Sequence, residues 1–241
     1  MLGRLLKDLL LGRWRAPASR SPGPPPRAPV LARYRPEVFD VPDEAAARAI
    51  ILTPEGGTPT ETRWERETPY LARLAVAELQ IVAGMRVIDY GCGIGRLARE
   101  LIAKTHCNVV GVDISASMRR LAVAHVQSAA FDALDPETFA AGSATGPRAD
   151  AAIACWVLQH CMQPARDIER IFEALRPGAR LIVVNNWLRA VPGDTGWVND
   201  GVDIAALVEA RFRRIKREPL DVDAVGPTVA RHAYVAVYER P

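Results

Sequence analysis

Val87-Ile88-Asp89-Tyr90-Gly91-Cys92-Gly93-Ile94-Gly95 is the stretch that decides the fold. An apolar run ends in an acid, glycines follow at alternate positions, and Leu97, Leu101 and Ile102 then recur at helical spacing. A chain that turns this sharply from strand to helix needs positive φ, and its bare backbone N–H groups can approach a ligand closely. The pattern predicts a nucleotide-cofactor loop. Dinucleotide loops space their glycines G-x-G-x-x-G, whereas these fall as G-x-G-x-G with Asp89 two residues ahead, which points away from nicotinamide and flavin.

Downstream, Val109-Val110-Gly111-Val112-Asp113 reads as a second buried strand ending in an acid, Asp113 lying about twenty positions after Gly91. A carboxylate there can accept hydrogen bonds from both ribose hydroxyls of an adenosine. The competing role, helix N-cap, can equally be filled by Ser115. Together these residues resemble the first motifs of class I S-adenosylmethionine-dependent methyltransferases. The resemblance implies S-adenosylmethionine as cofactor, held by Asp89, Gly91, Cys92, Gly93, Gly95, Asp113, Ile114 and Cys155, with Asp132 and Ala133 facing the adenine ring.

The strand-then-helix rhythm continues. Helix 118–124 precedes a weak third strand at 126–130, closed by Phe131-Asp132-Ala133-Leu134. Strand 149–154 leaves through Cys155-Trp156-Val157-Leu158-Gln159-His160. Helix 165–175 stops at Arg176-Pro177-Gly178-Ala179, before strand 180–185. Helix 204–212, strand 214–219, a connecting loop at 220–231 and strand 232–239 finish the chain. "VLQH" with "LRPGARLIVV" is similar to bacterial small-substrate methyltransferases, and the match covers 70–239. The implied fold is α/β: a doubly wound, seven-stranded, mostly parallel Rossmann-like methyltransferase sheet, five strands parallel and the last antiparallel, behind an N-terminal extension.

Charge divides the chain. Residues 1–35 hold eight of the 31 Lys and Arg and one of the 28 Asp and Glu, leaving 23 basic and 27 acidic side chains for the rest. The basic character belongs to the tail, so the domain itself gives no sign of a nucleic-acid partner. Segment 1–15 spaces its leucines as an amphipathic helix, 16–35 is a Pro- and Arg-rich linker, 36–70 a lid or connecting segment, and 71–241 the methyltransferase domain. Three readings of the first segment stand: a frayed or self-docked helix, a peripheral anchor to a membrane or protein partner, or a cleaved targeting peptide. A cytoplasmic location, at most peripheral to a membrane, is expected. The four cysteines form no C-x-x-C pair and suggest no metal site. No Pro-Cys dipeptide offers a cytosine-methylating nucleophile, and the Asp/Asn-Pro-Pro-aromatic signature of amino methylation is missing.

If the reaction uses a general base, the sequence nominates His160, at the carboxyl edge of the sheet, against a purely local packing role. Asn185, Asn186 and Trp187 at the end of the fifth strand are expected either to line an acceptor pocket or to cap the strand. Trp64 and Tyr70, ahead of a helix 71–79, are expected as an aromatic roof or as a hydrophobic staple, with Gly56-Gly57 as a hinge. The leading functional expectation is methyl transfer to an oxygen or nitrogen of a small metabolite, lipid or glycan precursor. Alternatives are a cofactor-binding regulatory or scaffold protein, and a protein or RNA methyltransferase.

Overall fold

The computed structural model describes residues 33–241; segment 1–15 and most of the 16–35 linker lie outside the described residues. Seven strands form one sheet: β1 (Arg86–Tyr90), β2 (Asn108–Val112), β3 (Phe131–Leu134), β4 (Ala149–Cys155), β5 (Leu175–Asn186), β8 (Arg213–Glu218) and β9 (Ala233–Glu239). Their order is β3-β2-β1-β4-β5-β9-β8, with only β9 antiparallel to its neighbours. The central strands read as continuous apolar runs because helices cover both faces. One face packs Ile88, Tyr90, Ala152, Leu181 and Tyr238 against α5 (Pro136–Thr145), α6 (Pro164–Ala174) and α7 (Ile204–Glu209). The other packs Val87, Ile153, Val184 and Val237 against α2 (Thr60–Leu79), α3 (Arg96–Thr105) and two short helices, α8 (Val222–Val225) and α9 (Pro227–His232).

Where the chain departs from expectation, a local reason is visible. The third strand is not at 126–130: α4 (Ala116–Val126) runs through Val126 and ends on a left-handed Gln127, φ 50°, so Phe131–Leu134 is the strand, paired Val109↔Phe131 through Val112↔Leu134. Val126 completes α4 because it packs beneath Gly95, where an added Cβ would stand 2.4 Å from its Cγ2. The first domain helix does not begin at Leu71. It spans Thr60–Leu79 with Pro69 inside, so a boundary at 70/71 would cut it. Upstream of Pro69 the helix is held by a buried i,i+4 ion pair, Arg63 Nε to Glu67 Oε1 at 2.6 Å. The 220–231 loop contains α8 and α9, started by the Asp221 cap and by Pro227 after Gly226. Loop 188–201 carries a hairpin, β6 (Val191–Gly193) and β7 (Gly196–Val198). Helix 204–212 is shorter than its apolar pattern, ending at Glu209 while Phe212 remains buried.

Ahead of α2, a 3-10 turn (Pro36–Phe39) and α1 (Glu44–Ile51) lie across the carboxyl edge of the sheet. Arg35 N–H donates to Pro192 O at 3.0 Å and Tyr34 bridges Gly193, tying this strap to the hairpin. At its other end Ser115 Oγ donates to Asp40 Oδ1 at 2.7 Å, and Val41 N–H donates to Ser117 Oγ at 2.9 Å.

Candidate cofactor and acceptor site

A cavity of about 510 Å³ opens at the carboxyl ends of β1, β2 and β4, the edge at which open α/β sheets bind ligands. Its floor is the glycine loop. Gly91, Gly93 and Gly95 have φ of 77°, 52° and 74°, a left-handed run that L side chains rarely adopt. Space excludes side chains as well: a Cβ on Gly91 would lie 2.3 Å from Val157, and one on Gly93 2.8 Å from Ile51. The amides of Gly91 and Cys92 both donate to Val112 O, at 2.7 and 3.0 Å, clamping the loop to the end of β2.

Asp113 lines this cavity. Its Oδ2 accepts from Gly93 N–H and its Oδ1 from Ser115 N–H, each at 2.9 Å. Ser115 is the N-cap of α4, accepting from Met118 N–H at 3.1 Å, so Asp113 is not spent on capping. Each carboxylate oxygen keeps a further lone pair for a hydroxyl donor. Ile114, half exposed, and Met118 stand beside it.

Asp89 sits beneath the loop, 2% exposed, with Oδ2 unpartnered. Burial pushes its carboxyl up to about 7 against the opposing pull of Arg96. The native state therefore binds a proton that the unfolded chain releases near 4, and this contribution to stability declines as pH rises from about 4 to about 7. His160 acts oppositely: burial lowers it to about 4, so its contribution rises with pH between about 4 and 6.5. Asp89→Asn, which removes the falling component, is expected to make the thermal midpoint climb more steeply from pH 4 to 6.5 than in wild type, read by calorimetry; an unchanged slope refutes the assigned protonation.

Cys92 is buried behind the loop and Cys155 borders the cavity, its Sγ 3.9 Å from Arg96. Burial raises both thiols, which are therefore fillers and not thiolates.

Asp132 and Ala133 belong to β3 and do not line the cavity; Asp135, Pro136 and Glu137, just beyond, do. The displacement follows from the shifted third strand. Asp135 caps α5, accepting from Glu137 and Thr138 N–H at 3.0 Å, ahead of Pro136 at the first helical position. That Asp-Pro start was legible in the sequence. Across from it the Tyr90 hydroxyl donates to Asp167 Oδ1 at 2.6 Å, and Arg170 Nη1 donates to the same oxygen at 2.9 Å.

Trp64 and Tyr70 do not form the roof. Trp64 packs with Ala47, Ile94 and Met118, with the Arg48 guanidinium 4.6 Å from its ring centroid. Tyr70 lies on the α2 face, where its hydroxyl accepts from Asp221 N–H at 3.1 Å. The roof comes from the strap instead: Tyr34, Phe39, Ile50 and Ile51 line the cavity. No periodic signal marks them, because a strap buries single side chains and not a face. Gly56-Gly57 make a tight turn against Thr228.

Asn186 and Trp187 border a separate cavity of about 270 Å³ with Arg217 and Tyr234, so they are not brought to the main site. Asn185, 1% exposed, accepts from Gln159 N–H through Oδ1 at 3.1 Å. His160 does line the main cavity, and its ring lies 5.9 Å from Phe39 and 5.1 Å from Trp197 of the hairpin. Its Nδ1 meets Ala190 O at 2.6 Å and its Nε2 meets Gln159 Nε2 at 3.1 Å. Both nitrogens are thus engaged, and the general-base expectation loses its free lone pair.

Residues 62–210 match the family model of the methyltransferase domain, and the chain belongs to that family. The chain is similar to the ubiquinone biosynthesis O-methyltransferase of Methylobacterium sp. (strain 4-46), 33% identical over 98 residues that cover 40% of this chain and 39% of that protein. It is also similar to methyltransferase GfsG of Streptomyces halstedii, 31% identical over 121 residues, 48% of this chain and 43% of that protein. The aligned part thus spans about two fifths of these relatives' length. Among solved structures, N-methyltransferase NodS from Bradyrhizobium japonicum WM9 in complex with S-adenosyl-L-homocysteine shares the fold. Its TM-score is 0.58 at 17% identity, covering 81% of this chain and 97% of that one. Among the described residues no helix is long and apolar enough to cross a membrane, and no cluster of His, Cys, Asp or Glu is arranged to hold a metal.

Proposed function

We propose that the protein is an S-adenosylmethionine-dependent methyltransferase acting on an oxygen or nitrogen of a small molecule. One observation carries this reading: a left-handed glycine loop and the Asp113 carboxylate form one wall of a roofed cavity. The residues present fit the cofactor. Bare loop backbone leaves room for its amino-acid half, Asp113 has lone pairs for two ribose hydroxyls, and Ile114, Met118 and Pro136 offer apolar surface to a purine. When bound, the cofactor supplies a methyl group made electrophilic by its sulfonium. The chain's task is then to hold an acceptor in line and keep water out, which can supply roughly 7–11 kcal/mol of the barrier. Phe39, Tyr34 and His160 face the acceptor side and close it with strap and hairpin. The names of the relatives, an O-methyltransferase acting in ubiquinone biosynthesis among them, support a small-molecule acceptor.

The test is incubation with a methyl-labelled cofactor and a small-molecule extract, read by mass spectrometry. Labelled low-mass products are expected; label only in protein or RNA, or none, overturns the reading. Phe39→Ala is expected to raise the acceptor KM about tenfold while leaving S-adenosylhomocysteine affinity within about twofold, since one buried aromatic contact is worth roughly 1–2 kcal/mol; equal losses in both would move Phe39 to the cofactor side.

A further inference from the structure

Gln159 is 3% exposed and lies directly before His160. It is held by groups of unambiguous polarity. Its Oε1 stands 2.6 Å from Asn186 N, a backbone N–H that can only donate, so this end of the amide must be the oxygen. The other end, an NH₂ that can only donate, faces His160 Nε2 at 3.1 Å. On the far side of the imidazole, Nδ1 stands 2.6 Å from Ala190 O, a carbonyl that can only accept. Nδ1 therefore carries the proton, and Nε2 offers its lone pair to Gln159.

We propose that Gln159 is a positioning residue that locks His160 into the neutral Nδ1–H tautomer, so that the acceptor's reacting atom must arrive with its lone pair already free. Protonating Nε2 would set an N–H against the Gln159 N–H donors and break the hydrogen bond between them. The surroundings do not favour a cation. Arg189, 4% exposed and paired with Asp200 at 2.8 Å, is the nearby formal charge that acts on the ring, and it is positive. The titratable groups sharing the cavity wall are Tyr34 of the strap, Tyr90 of β1, Asp113 just after β2, Cys155 of β4, the neighbouring Cys161, Arg166, Asp167 and Arg170 of α6, and Asp135 and Glu137 at the start of α5. Glu137 is paired with Arg166 and Arg170, and Asp135 accepts from two backbone amides. Asp167 is engaged by Tyr90 and Arg170, and Asp113 by two backbone amides. An ionised acceptor oxygen becomes neutral as its lone pair forms the bond to the methyl carbon. The carbon–sulfur pair stays on sulfur as the thioether, and no proton has to leave.

The assignment of a role in methyl transfer rests on the function proposed above; the lock itself is read without turnover. Nitrogen-15 histidine spectra of the full chain with S-adenosylhomocysteine, His160 being assigned by its loss in His160→Gln, are expected to show a neutral imidazole protonated on Nδ1 from pH 8 down to about 5. An Nε2–H tautomer, or an imidazolium at pH 6.5, overturns the proposal even if the protein proves to be an active methyltransferase. Gln159→Glu replaces the donor with an acceptor and is expected to bring the His160 titration to neutrality or above; a His160 that still fails to titrate above pH 5 in a folded variant also overturns it. Gln159→Met removes the donor without adding charge and is expected to give an intermediate midpoint. If both variants fail to fold, the wild-type tautomer alone decides.

Discussion

Replacing Asp113 with Asn should weaken binding of S-adenosylhomocysteine by about 30- to 100-fold in calorimetric titration. Hydrogen bonds to a charged group contribute roughly 1.5–3 kcal/mol each, and an amide retains one acceptor oxygen while losing the charge and the second. The native carboxylate already accepts from Gly93 N–H and Ser115 N–H, so the substitution also loosens the link between the glycine loop and the start of α4. The thermal midpoint without ligand separates the two effects: a fall of a few degrees belongs to the loop, whereas the affinity loss measured below that midpoint belongs to the ligand. Unchanged affinity would remove the cofactor assignment.

The largest stability effect is expected at Glu67, whose side chain is 1% exposed and forms a two-point pair with Arg63, at 2.6 Å and 3.2 Å. Glu67→Ala leaves a guanidinium buried without its main partner, a loss of about 3–5 kcal/mol. Arg63 keeps Thr53 O at 2.7 Å and Glu55 at 3.5 Å, which places the result near the lower end. A fall in thermal midpoint of about 6–12 °C follows for a domain of this size. The double change Arg63→Met, Glu67→Leu should recover most of it, because two apolar side chains of similar volume remove the desolvation cost of both charges. If the double variant is no better than the single, the pair is not the source of the loss.

The cofactor half of the site was legible because its chemistry is local. Asp89, the three loop glycines and Asp113 lie on two consecutive strand-to-helix units, and strand, turn and helix each leave their own periodicity. Asp132 falls within the third strand and not after it because of a single boundary: Val126 fits either the end of a helix or the start of a strand, and its contact with Gly95, 31 positions earlier, settles the matter only in three dimensions. The acceptor half depends on side chains brought together from distant segments. Phe39, His160 and Trp197 touch across the strap, the exit of β4 and the hairpin, and nothing in the spacing of one reports the others. Gln159 was visible beside His160, but its role depends on which backbone groups meet the two ends of its amide, which only the fold fixes.

The strap has a consequence for the order in which the site is made. Tyr34 bridges Gly193, a partner that leaves the ribosome 159 residues later. At about 5–20 residues per second the wait is on the order of ten to thirty seconds. During it the glycine loop, β1, β2 and α4 can assemble with the cofactor floor open to solvent, whereas the acceptor side has neither roof nor hairpin. On the proposed function, the donor floor is thus laid down well before the acceptor side can be enclosed.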